Sequence, residues 1–336
     1  MIGVEGEVDR RTGIPVVSLY GSTFASLSPS AADLAELDVL LVDLQDVGSR
    51  YYTYVWTMAL AMRQAADAGV EVMVLDRPNP LGGEQVEGGA VSPGFDSFVG
   101  LGSIPVRHGL TMGELARMVA AGMPWGPPLF QKPLALSLEI IPAEGWTRAM
   151  YFEDTGLPWV LPSPNMPTPE TAVVYPGQCL LEGTNLSEGR GCTRPFEIAG
   201  APFLAGDALA RAMEKQGVPG AFLRPLSFRP TFHKHGGKSC GGVQIHVRER
   251  PAFHAYRAGL AFLVAARELA PTAFDWRREP YEFVANPIAI DLLNGTDQVR
   301  LAIDAGAHVD DLLAPMEAFR RDFLARRAPF LLYGSS

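Results

Sequence analysis

The sequence predicts an α/β protein with a mostly parallel sheet, followed by a smaller α+β domain. Three observations carry that reading. Two short apolar runs, 39–42 and 70–75, flank a segment in which Val55, Met58, Ala59, Met62 and Ala66 recur at helical spacing. That is a strand, helix, strand unit, and such crossovers set the two strands parallel. Nearly half of the 336 residues are apolar (47%) and 19% are charged, a globular balance in a chain long enough for two cores. Past Phe196 the tidy alternation of strands and helices stops, which separates residues 1–190 from an α+β unit over 191–336.

Taken in order, 15–20 (PVVSLY) reads as a short buried strand and 31–37 as a short helix started by Ser30. The continuous run 39–42 is of the kind found in parallel strands covered on both faces, and it delivers Asp43, Gln45, Asp46 and Arg50 just past its end. The helix from Val55 stops at Gly69, and the strand 70–75 delivers Asp76, Arg77 and Asn79. If the strands are neighbours, both groups meet at the carboxyl edge of the sheet, where open α/β sheets bind ligands. A long loop over 77–109 holds Glu84, Glu87, Arg107 and His108; Thr111 and Glu114 then make a capping box for a helix over 112–121, and 134–141 reads as a further strand. Beyond Phe196 the pattern gives a helix near 207–216, a strand at 242–248, a helix near 252–268, a short helix around 284–293 and a C-terminal helix over 310–326.

The stretch 161–196 stands apart. It is too rich in Pro, Gly and small polar residues for a packed helix, and prolines at 162, 164, 167 and 169 predict a stiff extended start. Glycines at 183, 189 and 191 allow tight turns that present Glu182, Glu188, Arg190, Arg194, Asn165 and Asn185 together. Both charge signs with amides suit a polyhydroxylated, partly anionic ligand; a polar linker is the plainer alternative.

Other groups admit two readings. In RYYTYVW, Arg50 to Trp56, the rings either stack on pyranose faces while Arg50 forks a carboxylate, or they seal the helix onto the sheet; Arg50 and Tyr54 fit function best. Asp76 fits a turn cap or a ligand group, Glu87 an acid–base residue or a surface carboxylate, and His108 a catalyst or a hydrogen-bonded structural residue. His233 and His235 would share one face of a strand near Cys240, but Lys234 and Lys238 would repel a cation, so no metal is expected. The segment fits approach to an anionic ligand instead.

Composition excludes several classes. A net charge of −9 without a long basic run argues against nucleic acid. Three cysteines without CxxC spacing indicate neither a disulfide framework nor a zinc ribbon. No apolar run approaches a membrane span, and no GxGxxG after a strand, P-loop or GxSxG supports a dinucleotide, nucleotide or α/β-hydrolase reading.

Several long stretches, DLQDVGSRYYTYVWTMALAM, VLDRPNPLGG, IPVRHGLTMGELARM, PSPNMPT, YPGQCLLEGTNLSEGRGCTRPFE and FHKHGGKSCGGVQIHV, together resemble the DUF1343 family of NamZ-type exo-acting β-N-acetylmuramidases. The likeness runs from about residue 13 to the C-terminus. It implies a Rossmann-like N-terminal domain, a smaller C-terminal domain, and a cleft between them that releases N-acetylmuramic acid from the non-reducing end of peptidoglycan fragments, with no cofactor. The ligands implied are muropeptides or disaccharides that contain N-acetylmuramic acid. Under that reading Glu182, Glu188 and His108 are the catalytic candidates. Arg50, Tyr51, Tyr54, Asp76, Asn79, Glu87, Arg107, Asn165, Asn185, Arg190 and Arg194 are the binding candidates.

Family members usually begin with a further strand, helix and strand that end in a PEHG-like motif, whose glutamate is a candidate acid. This sequence starts MIGVEGEVDRRTGIPVVSLYG without that motif, and Glu5 and Glu7 do not match it. The expectation is a domain lacking that first unit, with the acid either upstream of Met1 or lost. A non-catalytic muropeptide-binding protein is the alternative. Relatives are often exported, so an extracytoplasmic address would be written in the same upstream region.

Overall fold

The computed structural model describes residues 6–123 and 128–335. The chain opens with a two-residue antiparallel pair, β1 (Glu7–Val8) and β2 (Pro15–Val16), whose residues are all exposed. The buried strand expected over 15–20 is therefore reduced to an exposed two-residue arm, and only its far end is covered, where Tyr20 packs on Phe98 and its hydroxyl lies 3.0 Å from that of Thr57. Helix α1 (Ala31–Leu34) starts at Ser30, which accepts from the Asp33 N–H at 3.2 Å. Next come β3 (Val39–Val42), α2 (Tyr54–Ala68), β4 (Glu71–Leu75), α3 (Met112–Ala120) and β5 (Leu138–Ile141). Gly69 ends α2 in the left-handed region at φ 72°, where the absence of a Cβ removes the steric cost.

The three strands form a parallel sheet in the order β3, β4, β5, with Leu40 opposite Val72 and Val74 opposite Ile140. Side chains alternate between its faces. Val42, Val72 and Val74, with the half-buried Leu40, Leu138 and Ile140, turn toward α2 and α3 and form one core with Trp56, Met62, Leu115 and Phe98. The other face carries Val39, Leu41 and Ile141, which are 37%, 59% and 41% exposed. Coverage on both faces, expected from the apolar run 39–42, is thus absent among the described residues, because α2 and α3 lie on the same side.

Helix α3 has the predicted capping box: Thr111 Oγ1 accepts from Glu114 N at 3.2 Å, and Glu114 accepts from Thr111 N at 3.0 Å. The Thr111 hydroxyl also donates to Asp76 at 2.7 Å, so one side chain ties the helix to the end of β4. Thr111→Ala is expected to lose about 1–2 kcal/mol of stability, while Thr111→Ser keeps most of it. Urea midpoints of the two variants check this, and an unshifted alanine midpoint would contradict the cap.

Within 161–196, helix α4 (Pro169–Gln178) and a 3₁₀ turn over Cys179–Gly183 replace the expected helix-free loop. The reason is local. Thr168 caps the helix, and Pro169 occupies the first helical position, where its missing N–H costs nothing. The chain continues through β6 (Ile198–Ala201), α5 (Gly206–Lys215), β7 (Ala221–Phe228), β8 (Cys240–Val247) and α6 (Ala255–Leu269). The strands pair antiparallel in the order β6, β8, β7; β6 and β7 are elements that the sequence pattern did not reveal. Helix α6 is buried along nearly its whole length and packs on α4 and α5. The C-terminal run is α7 (Ala289–Asn294), α8 (Gln298–Asp304), α9 (Val309–Leu313) and α10 (Glu317–Arg327). Pro315, inside the 3₁₀ turn Ala314–Met316, divides the single helix expected over 310–326. Phe323 of α10 returns to the core under the parallel sheet, so the end of the chain closes onto its beginning.

Candidate functional site

The ends of β3 and β4 bring Asp43, Gln45 and Asp46 beside Asp76, Arg77 and Asn79, as the strand order requires. Asp43 and Arg77 form an ion pair at 2.6 Å that borders two openings. One, of about 520 Å³, is walled by Asp76, Glu144, Trp146 and Leu157. The other, of about 420 Å³, is walled by Gln45, Tyr54, Trp159 and Pro162. Tyr54 is half-buried and donates to Pro162 O at 2.7 Å. Asn165, also half-buried, has no hydrogen-bond partner among the described residues.

Several residues singled out by the sequence lie behind this edge, and their polar groups are used by the fold. Arg50 is fully buried and donates to the carbonyls of Gly89, Ile104 and Leu293, each at 2.8 Å. It ties two loops to the end of the helix Ala289–Asn294 and spends its donors on carbonyls, contrary to the carboxylate fork expected of it. Tyr51 packs beside it, 2% exposed. Asn79 donates to Leu110 O and accepts from Leu81 N, both at 2.9 Å. Glu87 pairs with Arg107 at 3.0 Å and accepts the N–H of Tyr256 at 2.9 Å, a clasp across the seam between the two halves of the chain.

His108 is fully buried: its Nδ1 accepts from Leu110 N at 3.1 Å, which leaves the ring proton on Nε2, 3.5 Å from Asp46. Asp76 accepts from Thr111, Gly113 and Tyr333, each at 2.7 Å, as a cap would; burial holds its pKa above the usual value against those donors. The structural member of the pair of readings fits Arg50, Tyr51 and His108, whereas Glu87 matches neither of its two readings as stated: it is no surface carboxylate but a buried one paired with Arg107.

The segment after the 3₁₀ turn builds a second centre. Glu182 accepts from Arg190 at 2.6 Å and from the Tyr281 hydroxyl at 2.7 Å. Arg190 also reaches Glu188 at 3.1 Å and lies over the ring of Phe196, 5.3 Å from its centroid. Glu188 is fully buried and meets His233 at 3.2 Å and Lys234 at 3.0 Å as well. Burial pushes its pKa up, but Lys234, His233 and Arg190 outweigh burial and bring it down to about 2. Glu188 is enclosed and its carboxylate is shared among Arg190, His233 and Lys234, so the fold itself uses the group that the sequence context suggested as a catalyst. Arg190 keeps its charge for the reciprocal reason: burial opposes it, and Glu182 and Glu188 more than compensate.

Asn185 spends its amide on Ala273 O at 2.8 Å and on Asp275 N at 3.1 Å. Arg194 pairs with Glu197 at 3.3 Å and stays 43% exposed. His233 and His235 are not on a strand: they sit in a turn at φ 66° and 59°, one toward Glu188 and the other toward Asn185 O at 2.7 Å. No group of three or more metal-ligating side chains occurs among the described residues.

Two features were illegible in the sequence. A row of edge-to-face rings, Tyr54 on Tyr52 at 5.0 Å, Tyr52 on Tyr175 at 5.9 Å and Tyr175 on Phe196 at 4.9 Å, joins the carboxyl edge to Arg190. Second, every non-glycine residue with a left-handed backbone among the described residues, Phe196, His233, His235, Glu282 and Phe283, belongs to this second centre or the segments packed on it. Such conformations cost energy and concentrate where a side chain must be aimed. An opening of about 530 Å³ lined by Thr184, Asn185, His233, Lys234, Trp276 and Arg277 lies alongside.

Residues 1–170 match the family described as Exo-beta-N-acetylmuramidase NamZ, N-terminal, and residues 173–333 its C-terminal counterpart. The chain is 42% identical over 328 residues to the peptidoglycan β-N-acetylmuramidase NamZ of Bacillus subtilis (strain 168), covering 97% of this chain and 74% of that one. Among solved structures it is similar to a DUF1343 family protein from Bacteroides fragilis NCTC 9343, with TM-score 0.86 and 31% identity over 97% of this chain and 82% of the other. A second DUF1343 protein from the same organism gives TM-score 0.75 and 29% identity over 98% and 82%.

Proposed function

The chain belongs to the NamZ family of exo-β-N-acetylmuramidases, and from that premise we propose that it is a glycosidase that removes N-acetylmuramic acid from the non-reducing end of peptidoglycan fragments. The observation that carries this reading is the 42% identity to the Bacillus subtilis enzyme over 97% of the chain, which includes both halves and the segments that build the site. Its substrates are muropeptides or disaccharides bearing N-acetylmuramic acid. No described helix is long and apolar enough to cross a membrane.

The geometry supports a sugar ligand. Tyr54 and Trp159 line the groove at the carboxyl edge and offer aromatic surface to a pyranose, with the Gln45 side chain beside them. For the lactyl carboxylate, Arg190 is favoured over the buried Arg50: it keeps 27% of its side chain exposed while Glu182 and Glu188 fix its plane. Arg194, on the same loop, is a second cation within that surface. Glu182, anchored on both oxygens, orients Arg190 and Tyr281.

Release of nitrophenol from 4-nitrophenyl β-N-acetylmuramide, and little from the N-acetylglucosamine analogue, is the expected result. Equal rates on the two would remove the lactyl carboxylate from recognition, and Arg190 with it. A second reading, a muropeptide-binding protein, draws on the ion-paired state of Glu182 and Glu188. Calorimetric binding of N-acetylmuramic acid without any turnover would favour it.

A further inference from the structure

The two openings at the carboxyl edge of the parallel sheet are lobes of one groove. Asp43, Arg77, Pro78 and Leu157 line both, so the Asp43–Arg77 ion pair forms a ridge between them. Past the end of β3 lies the lobe of Gln45, Tyr54 and Trp159, where the sugar reading places a pyranose. Past the ends of β4 and β5 lies the lobe of Asp76, Ala143, Glu144 and Trp146, to which that reading assigns nothing. Its volume of about 520 Å³ falls in the ordinary range of small-molecule sites.

The wall of this second lobe is held from the far end of the chain. Ala143 N donates to the Tyr333 hydroxyl at 2.9 Å, and that hydroxyl donates to Asp76 at 2.7 Å. Arg148 N donates to Gly334 O at 2.9 Å, and Trp146 meets the Tyr333 ring edge to face at 5.0 Å. A wall fixed in advance lowers the ordering cost of a ligand. On the ridge, Arg77 Nε and Nη2 both fall on Asp43 Oδ1, at 2.7 and 2.6 Å. Asp43 Oδ2 and Arg77 Nη1, on side chains about half exposed, thus remain for the hydroxyls of a ligand.

Charge tells the two lobes apart. In the first, Asp43 and Arg77 are the charged lining groups and they balance. In the second, Asp43, Asp76 and Glu144 stand against the single guanidinium of Arg77. An excess of carboxylates repels a sugar that carries its own carboxylate and admits an uncharged one. Leu75, Pro78, Met150 and Leu157 supply apolar surface for the C–H groups of such a ring.

We propose that the second lobe is the subsite for the sugar that leaves, an uncharged N-acetylhexosamine joined to the N-acetylmuramic acid in the first lobe, with the linking oxygen over the Asp43–Arg77 ridge. This rests on the reading of the chain as a protein for saccharides that contain N-acetylmuramic acid. The carboxylates of the second lobe then set the direction of the substrate: the lactyl-bearing sugar is turned away from Glu144 and the neutral sugar lies beside it.

The test is calorimetry with two ligands, methyl β-N-acetylmuramide and the disaccharide of N-acetylmuramic acid with N-acetylglucosamine, its linking oxygen replaced by sulfur to resist hydrolysis. The unaltered protein is expected to bind the disaccharide about tenfold or more tightly than the methyl glycoside. Ala143→Trp, which places an indole in the second lobe, is expected to abolish that gain while affinity for the methyl glycoside changes less than about threefold. A gain that survives Ala143→Trp, equal losses on both ligands, or no gain in the unaltered protein overturns the subsite alone. Binding of neither ligand by the unaltered protein overturns the saccharide reading, and the subsite with it. Should Ala143→Trp not fold, Glu144→Lys at an exposed position decides. Its preference for the N-acetylglucosamine disaccharide over one whose second sugar is also N-acetylmuramic acid is expected to shrink about fivefold or more, and an unchanged preference refutes the assignment.

Discussion

Alanine in place of Gly177 is expected to break the packing of α4 on α6 and to lower stability by about 3 kcal/mol or more. A Cβ built at Gly177 would fall inside the van der Waals envelope of the Ala255 carbonyl oxygen, with Ala255 C at 2.7 Å and Gly259 N at 2.8 Å. A Cβ at Gly259 would in turn overlap the Gly177 carbonyl. The obstacles are backbone atoms of two buried helices, so no side chain can swing aside. Helix α4 runs directly into the 3₁₀ turn that carries Glu182, so the same change should displace the ion-pair centre. Thermal melts of Gly177→Ala beside Gly306→Ala separate the causes. Gly306 has φ 83° and no atom within 4 Å of an added Cβ, so its variant carries the cost of left-handed backbone alone. Equal melting of the two variants would contradict the close crossing.

Loss of the Glu188 charge should be comparably severe and should carry a pH signature. The folded pKa is about 2 against an ordinary glutamate value of 4.5. A depressed carboxylate contributes stability that is fully present above 4.5 and is lost as pH falls toward 2. The separation corresponds to roughly 3 kcal/mol. Glu188→Gln also leaves Arg190 and Lys234 without their shared anion, and the penalty for stranding buried charge has a similar size. Urea midpoints from pH 7 down to pH 3 are expected to fall much more steeply for the unaltered protein than for Glu188→Gln, the two converging at the acid end. Parallel curves would mean that the carboxylate is not held by Lys234, His233 and Arg190. Other carboxylates titrate in the same range, and comparison of the two proteins cancels them.

The elements best read from sequence were those set by local rules: the helix that Gly69 ends, the capping box of Thr111 and Glu114, and the apolar strands whose ends gather Asp43, Asp46, Asp76 and Arg77. Spacing and end residues determine these before any tertiary contact forms. Strands β6 and β7 escaped because Gly200 and Pro225 interrupt their patterns, and only pairing with β8 makes them strands. The turn of His233 and His235 escaped for a related reason, since its backbone is left-handed against the residue types that occupy it.

Residue type alone marked Arg50, Glu87, Arg107 and His108 as candidates for chemistry, because charge and imidazole read the same whether they face a ligand or a carbonyl. Burial decided between those uses, through the three carbonyls on Arg50, the Glu87 clasp on Tyr256, and the enclosure of His108 against Asp46. Conversely, nothing in EPYEFV marked the Tyr281 hydroxyl that holds Glu182. By itself the sequence determined the fold class, the family resemblance and the stretch that would hold the polar centre, since periodicity and long motifs are local in the chain. Only the tertiary structure decided which carboxylates are spent on ion pairs and which are pushed by burial toward their acid form, Asp76 and Asp291 among them. Those outcomes depend on desolvation and on charges brought together from residues almost a hundred positions apart, Glu182 and Tyr281 among them.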